Sequence, residues 1–167
     1  MENFKLYESF KNKFTVTKAP KPLPEDNRPG VFLAGSIELG KAEDWQKQIE
    51  KLMKNENVAI YNPRRDDWDS SWKQTMDDKK FSEQVNWELN ALENAAVIIL
   101  YLDPVTKSPI SLLELGLHAQ SGKLLVCCPE GFYRKGNVDI TCAKYNVPMY
   151  NTIEDIAAAA IVKIKYW

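Results

Sequence analysis

The sequence predicts a single-domain, three-layer α/β fold, doubly wound around a mostly parallel sheet of about five strands. Three observations point to it. Short apolar runs alternate along the chain with segments whose apolar residues recur at helical spacing. The run AAVIILYLD, residues 95–103, is apolar almost throughout rather than at every second position, as a strand covered on both faces requires. The loops that follow successive strands are polar and carry Gly or Pro.

Composition bounds the function before any motif does. With 167 residues, 44% hydrophobic and 27% charged, the chain suits one domain with a real core. Its 22 Lys and Arg nearly balance 23 Asp and Glu, so no basic field points to nucleic acid or an anionic membrane as partner. A small neutral or anionic ligand remains open. Cys127, Cys128 and Cys142 lack Cys-x-x-Cys spacing and His118 is the only histidine, so no zinc set is expected. The thiols read as reduced, in a cytoplasmic protein. No charged segment followed by an apolar run opens the chain, and no window of about 18 apolar residues exists, so neither export nor membrane spanning is expected.

Taken in order, residues 1–30 read as an N-terminal arm packed on a domain of residues 31–167. KAPKPLPEDNRPG, residues 18–30, holds four prolines and cannot form a continuous helix or a central strand. VFLAG, Val31 to Gly35, is a strand, GSIELG a tight loop, and KAEDWQKQIEKLMKN a helix with Trp45, Ile49 and Leu52 on its apolar face. VAIYNP is a second strand ended by Pro63, and RRDDWDSSWKQTMDDKK is a long polar loop of the kind that tends to be functional or disordered. A helix from about Phe81 to Ala95, with Val85, Leu89 and Leu92 on one face, leads into AAVIILYLD. The segment SPISLLELGLHAQSGK supplies the next helix and KLLVCCP the fourth strand. VPMY and TIEDIAAAAIVKIKYW give a fifth strand and the last helix. The architecture is Rossmann- or flavodoxin-like.

In such sheets ligands bind outside the carboxyl ends of the strands. GSIELG, YNPRRDDW and LDPVTKSPIS all follow strands, so they meet at that edge. They supply the candidate substrate contacts: Gly35, Ser36 and Ile37, then Asn62, Arg64, Asp67 and Trp68, then Ser108 and Ser111. Glu114 lies about a turn into the helix after the third loop, in the middle of its most apolar run. An unpaired buried carboxylate is costly, so either Glu114 is solvated between core leucines or it is kept as a nucleophile or acid-base group. On residues alone both readings stand. Ser108 before Pro109 equally reads as a helix cap, Glu88 as a surface residue of an amphipathic helix, and Trp68 and Trp72 as loop anchors.

GSIELGKAEDWQ, NPRRDDW, WELNALENAAVII and SPISLLELG, in this order, resemble the nucleoside 2-deoxyribosyltransferase-like superfamily, which includes deoxyribonucleoside-monophosphate N-glycosidases. The resemblance covers Val31 to about Tyr150. In that family a glutamate in the motif E-L-G attacks the anomeric carbon and holds the sugar as an ester, and Glu114 stands in ELG. Glu88 falls where family members carry a second acidic residue, which orients the sugar or passes a proton to the base. Ser108 matches the hydrolase branch, since the transferases tend to have aspartate six residues ahead of the nucleophile; Asp103 is the alternative acidic group of that loop. In the hydrolases the glycine-serine turn cradles a 5'-phosphate. Here Glu38 opposes that role, while Lys41, Arg64 and Arg65 offer positive charge. Asn137, in GNVDI, lies in the region that lends a sugar-contacting asparagine to a neighbouring subunit, and otherwise reads as a turn residue beside glycine.

The resemblance therefore implies an enzyme that cleaves the N-glycosidic bond of a nucleoside or nucleoside 5'-monophosphate, passing the sugar to another base or to water. It needs no metal or cofactor and works as a homo-oligomer, a dimer or larger. An NAD-type glycohydrolase and a non-catalytic nucleotide sensor are the alternatives; the first lacks a G-x-G-x-x-G fingerprint, and an intact Glu114 argues against the second.

Overall fold

The computed structural model describes residues 13–37 and 43–167. Its sheet holds six strands, all parallel: β1 (Thr15–Lys18), β2 (Gly30–Gly35), β3 (Ala59–Asn62), β4 (Val97–Tyr101), β5 (Leu124–Cys127) and β6 (Met149–Tyr150). Their order across the sheet is β1-β3-β2-β4-β5-β6. The helices are α1 (Trp45–Met53), α2 (Lys79–Asn94), α3 (Pro109–His118), α4 (Lys135–Tyr145) and α5 (Ile153–Ile164). The chain turns one way from β2 to β3 and returns past β2 to β4, so the switch in winding lies between β2 and β4.

Two apolar layers sandwich this sheet. Val31, Leu33, Val97 and Ile99 point to the face covered by Trp45 and Ile49 of α1 and Ile156 of α5. Phe32, Ala34, Ile98 and Leu100 point to the other, where Trp87 and Leu92 of α2 and Leu115 of α3 pack. Central strands therefore carry no polar face, which explains the unbroken apolar run of β4. Each fully buried aliphatic side chain contributes roughly 1.5–3 kcal/mol.

The sequence reading needs three corrections. The arm adds a strand, because Thr15–Lys18 pairs with β3 at the sheet edge; hence six strands rather than about five. Beyond that strand, the Trp87 indole donates to the Lys21 carbonyl oxygen (2.7 Å), tying the proline-rich segment to α2. On α1 the buried face is Trp45, Ile49 and Met53, leaving Leu52 42% exposed. GNVDI is not a turn but part of α4, which buries only Val138 and Cys142 and carries no apolar stripe to announce it.

Helix starts follow side-chain chemistry. Asp78 accepts from the backbone N–H groups of Lys80 and Phe81 at α2, and Thr152 from that of Asp155 at α5. Cys127, Cys128 and Cys142 are free and buried, and burial pushes their thiols up to about 12, 11 and 11. They are core groups rather than nucleophiles. Among the described residues no helix is long and apolar enough to cross a membrane.

Gly35 ends β2 at φ +139°, opposite Tyr101 of β4. A Cβ there would collide with the Tyr101 carbonyl oxygen and lie 2.9 Å from its nitrogen. Gly35→Ala is expected to lower unfolding free energy by about 3 kcal/mol or more in urea titration, since strain and clash add. A loss under about 1 kcal/mol would mean that the strand end relaxes freely.

Candidate functional site

A cavity of about 330 Å³ opens beside the winding switch, between α2 and α3. Ala34 and Gly35 at the end of β2 and Pro63 just after β3 form its floor. From α2 come Phe81, Gln84, Val85 and Glu88, a run at helical spacing along one face. From α3 come Ser111 and Glu114, again one turn apart, with Ser108 and Pro109 at its start. Trp68 and Gln74 close the side formed by the long loop.

Glu114 is 8% exposed, and its carboxyl meets no hydrogen-bond partner among the described residues. Burial, with the charge of Glu88 added, pushes it up to about 8. Glu88 is also raised by burial, against which Gln84 Nε2, donating at 2.7 Å, acts in the lowering direction. Two carboxyls in one apolar cavity do not both ionise readily, so the pair shares a proton near neutral pH.

Behind the wall, three hydroxyls close a ring. Ser36 Oγ lies 2.8 Å from Thr106 Oγ1 and 2.6 Å from Ser108 Oγ, and Thr106 Oγ1 lies 2.8 Å from Ser108 Oγ. Ser36 Oγ also accepts from the Asp103 N–H (2.9 Å), and Thr106 donates to the Asp103 carbonyl oxygen (2.9 Å). The ring joins the end of β2 to the start of α3. Ser108 occupies the N-cap position with Pro109 at the first helical residue, but it has left-handed backbone (φ 45°) and no capping hydrogen bond. Its hydroxyl faces the ring instead, and the strained backbone costs on the order of 1–3 kcal/mol.

Of the candidate residues, Glu88, Glu114, Gly35, Ile37, Trp68, Ser108 and Ser111 reach the cavity wall. The rest do not. Ser36 is committed to the hydroxyl ring and sits behind the wall. Asn62 is buried, donating to Glu50 (2.7 Å) and accepting from the Arg64 N–H (2.9 Å). Arg64 turns to Gln46 (3.3 Å) and Asp44 (3.7 Å). Asp67 takes a two-pronged bond from Arg65 (2.8 and 3.1 Å), and Arg65 also pairs with Glu83 (3.0 Å) beneath the Trp72 ring. Asn137 is exposed on α4, outside the wall. Asp103 accepts from the Val105 N–H in its own turn, and half-buried His118 lies off the wall. Glu38, Gly40 and Lys41 fall outside the described residues.

Among the described residues of the wall there is no Lys or Arg. Nor do the described residues contain a cluster of three or more His, Cys, Asp or Glu able to hold a metal ion. Sequence reasoning missed Gln84, although it stands four residues before Glu88 on the same helix face. It also missed Gln74, for which the loop sequence carries no signal.

Residues 28–132 match the family described as nucleoside 2-deoxyribosyltransferase like. The chain belongs to that family. Its three-layer fold is similar to the crystal structure of a conserved protein from Enterococcus faecalis V583, with TM-score 0.54 and 16% identity over 84% of this chain and 99% of that one. No curated protein matches the chain.

The raised carboxyls set a pH dependence of stability. The folded form holds a proton on Glu114 up to about pH 8, whereas an unperturbed glutamate releases it near 4.5. Stability from this group is therefore full below about 4.5 and is lost as pH rises toward 8, by up to about 1.4 kcal/mol per pH unit. Glu114→Gln is expected to flatten that decline and to be the more stable protein at pH 8, as measured by urea unfolding at both ends of the window. Parallel curves for the two proteins would show Glu114 to be solvated.

Proposed function

We propose that this protein cleaves the N-glycosidic bond of a nucleoside through a covalent sugar ester on Glu114. The observation that carries the reading is the pair of desolvated carboxyls, buried Glu114 and half-buried Glu88, in one apolar cavity at the winding switch. In the proposed step the Glu114 carboxylate attacks the anomeric carbon as the bond to the base nitrogen breaks, and the base leaves with that electron pair. The proton shared by the carboxyls passes through Glu88 to the departing base, so the nucleophile is uncovered as the leaving group is neutralised. Water or a second base then attacks the same carbon, giving its proton to Glu88 as the ester bond breaks and frees Glu114. Trp68 supplies a flat face for the base.

Two carboxyls without a Lys or Arg on the described wall favour an uncharged nucleoside over its 5'-monophosphate, since Arg64 and Arg65 are held in ion pairs elsewhere. The volume, at the low end for small-molecule sites, suits a nucleoside better than a dinucleotide. In this reading the chain works as a homo-oligomer: Asn137 is exposed away from its own cavity, and Leu113 and Leu117 at the rim are 58% and 57% exposed.

Incubation with 2'-deoxynucleosides, their 5'-monophosphates and ribonucleosides, with and without acceptor base, tests the proposal by chromatography of released base. Glu114→Gln is expected to lower release at least about a thousandfold, and Glu88→Ala about a hundredfold. Wild-type rates in Glu114→Gln would remove the nucleophile. Nucleosides are expected to exceed their monophosphates in kcat/KM by at least about tenfold, and the opposite ranking would place a cation at the site.

A further inference from the structure

We propose that Gln84 is a positioning residue for the carboxyl pair: it bridges the backbone after β3 to Glu88 and keeps Glu88 the charged member while Glu114 holds the shared proton. The inference rests on the assignment of these two glutamates made above. Gln84 is 3% exposed and lies on the cavity wall one helical turn before Glu88. Its Nε2 donates to the Pro63 carbonyl oxygen (2.9 Å) and to Glu88 Oε1 (2.7 Å), which uses both amide protons.

The orientation of that amide is decided by its neighbours. Turned over, Oε1 would face the Pro63 carbonyl oxygen, which cannot donate to it, and Nε2 would move to the side where no partner is found. In the orientation present, Gln84 Oε1 is buried without a hydrogen-bond partner, a state that native interiors rarely accept. The fold leaves one acceptor orphaned and places two protons on two oxygens. A donated hydrogen bond favours the charged form of the carboxyl that accepts it. Glu114 receives none from the described residues, so Gln84 adds to the inequality that exposure already sets between half-buried Glu88 and buried Glu114. The ionisable group that Glu88 meets across the cavity is Glu114 of α3, and among the described residues no Lys or Arg of the wall competes with Gln84 for it.

The unequal sharing has a mechanistic use. The charge on Glu88 points to where the proton must go, and Glu114 stays neutral in its apolar surroundings until a ligand arrives. Pro63 begins the loop that carries Trp68, so the same amide couples the stacking wall to the acid-base group.

The test follows protons rather than turnover. Full-length protein with isotope-labelled glutamate carboxyls is titrated by NMR from about pH 4 to about pH 9, with Glu88→Gln and Glu114→Gln identifying the two signals. In the wild type, Glu88 is expected to ionise before Glu114; the reverse order overturns the proposal without any variant. In Gln84→Met, whose side chain has similar length and no amide, Glu88 is expected to hold the shared proton about tenfold more often at neutral pH, and Glu114 correspondingly less. An unchanged Glu88 signal in folded Gln84→Met would make Gln84 a structural bridge and sink the idea. Inactivity toward every nucleoside counts against the glycosidic reading instead, and leaves these titrations to decide the role of Gln84.

Discussion

Parallel pairing of β2 with β4, in register from Val31 opposite Val97 to Gly35 opposite Tyr101, is the constraint from which the site follows. It brings two strand ends level at the winding switch, and the Ser36 N–H continues the ladder by donating to the Tyr101 carbonyl oxygen (2.9 Å). From there the Ser36 hydroxyl reaches Thr106 and Ser108, which fixes where α3 begins. Glu114 is then delivered to the cavity by helical geometry, six residues beyond Ser108. The chain of dependence runs from hydrogen-bonded backbone to hydroxyl ring to carboxyl, each link short and buried.

The chemistry of the pocket is set by desolvation more than by specific contacts. A buried carboxyl without donors gives up its charge, which explains why Glu114 is raised far more than its sequence context suggests. Glu88 is close enough to add to that shift and, among the described residues, differs from Glu114 in having a hydrogen-bond donor. Salt bridges elsewhere isolate the pocket from the arginines of the loop. Arg65, only 4% exposed at its side chain, is neutralised by Asp67 and Glu83 before it can influence the cavity.

Much of this was legible in the chain. The strands of the central sheet announce themselves because burial on both faces demands unbroken apolar runs, and α2 and α5 because their apolar residues recur with the helical period. α4 was not legible, since GNVDITCAKY buries two side chains and shows no stripe. β1 was not, because four residues at the sheet edge are too few for a pattern and gain their place by pairing with β3. Leu52 was misplaced because spacings of three and four both suit a helix, and the sheet selects Met53. At the site, Glu114 stood out as a carboxylate in an apolar run. Arg64, by contrast, read as a ligand group because its partner Asp44 is twenty residues away in sequence and no local pattern links them.

The left-handed turn at Ser108 also narrows the set of sequences this site can explore. Besides glycine, only asparagine and aspartate take that backbone at low cost, and β-branched or bulky residues do not. Glycine would leave two hydroxyls without their neighbour, and aspartate would bring a full charge among Ser36, Thr106 and the cavity wall. Variation at this position is thus channelled by the backbone toward replacements that alter the polarity of the pocket while leaving its shape intact.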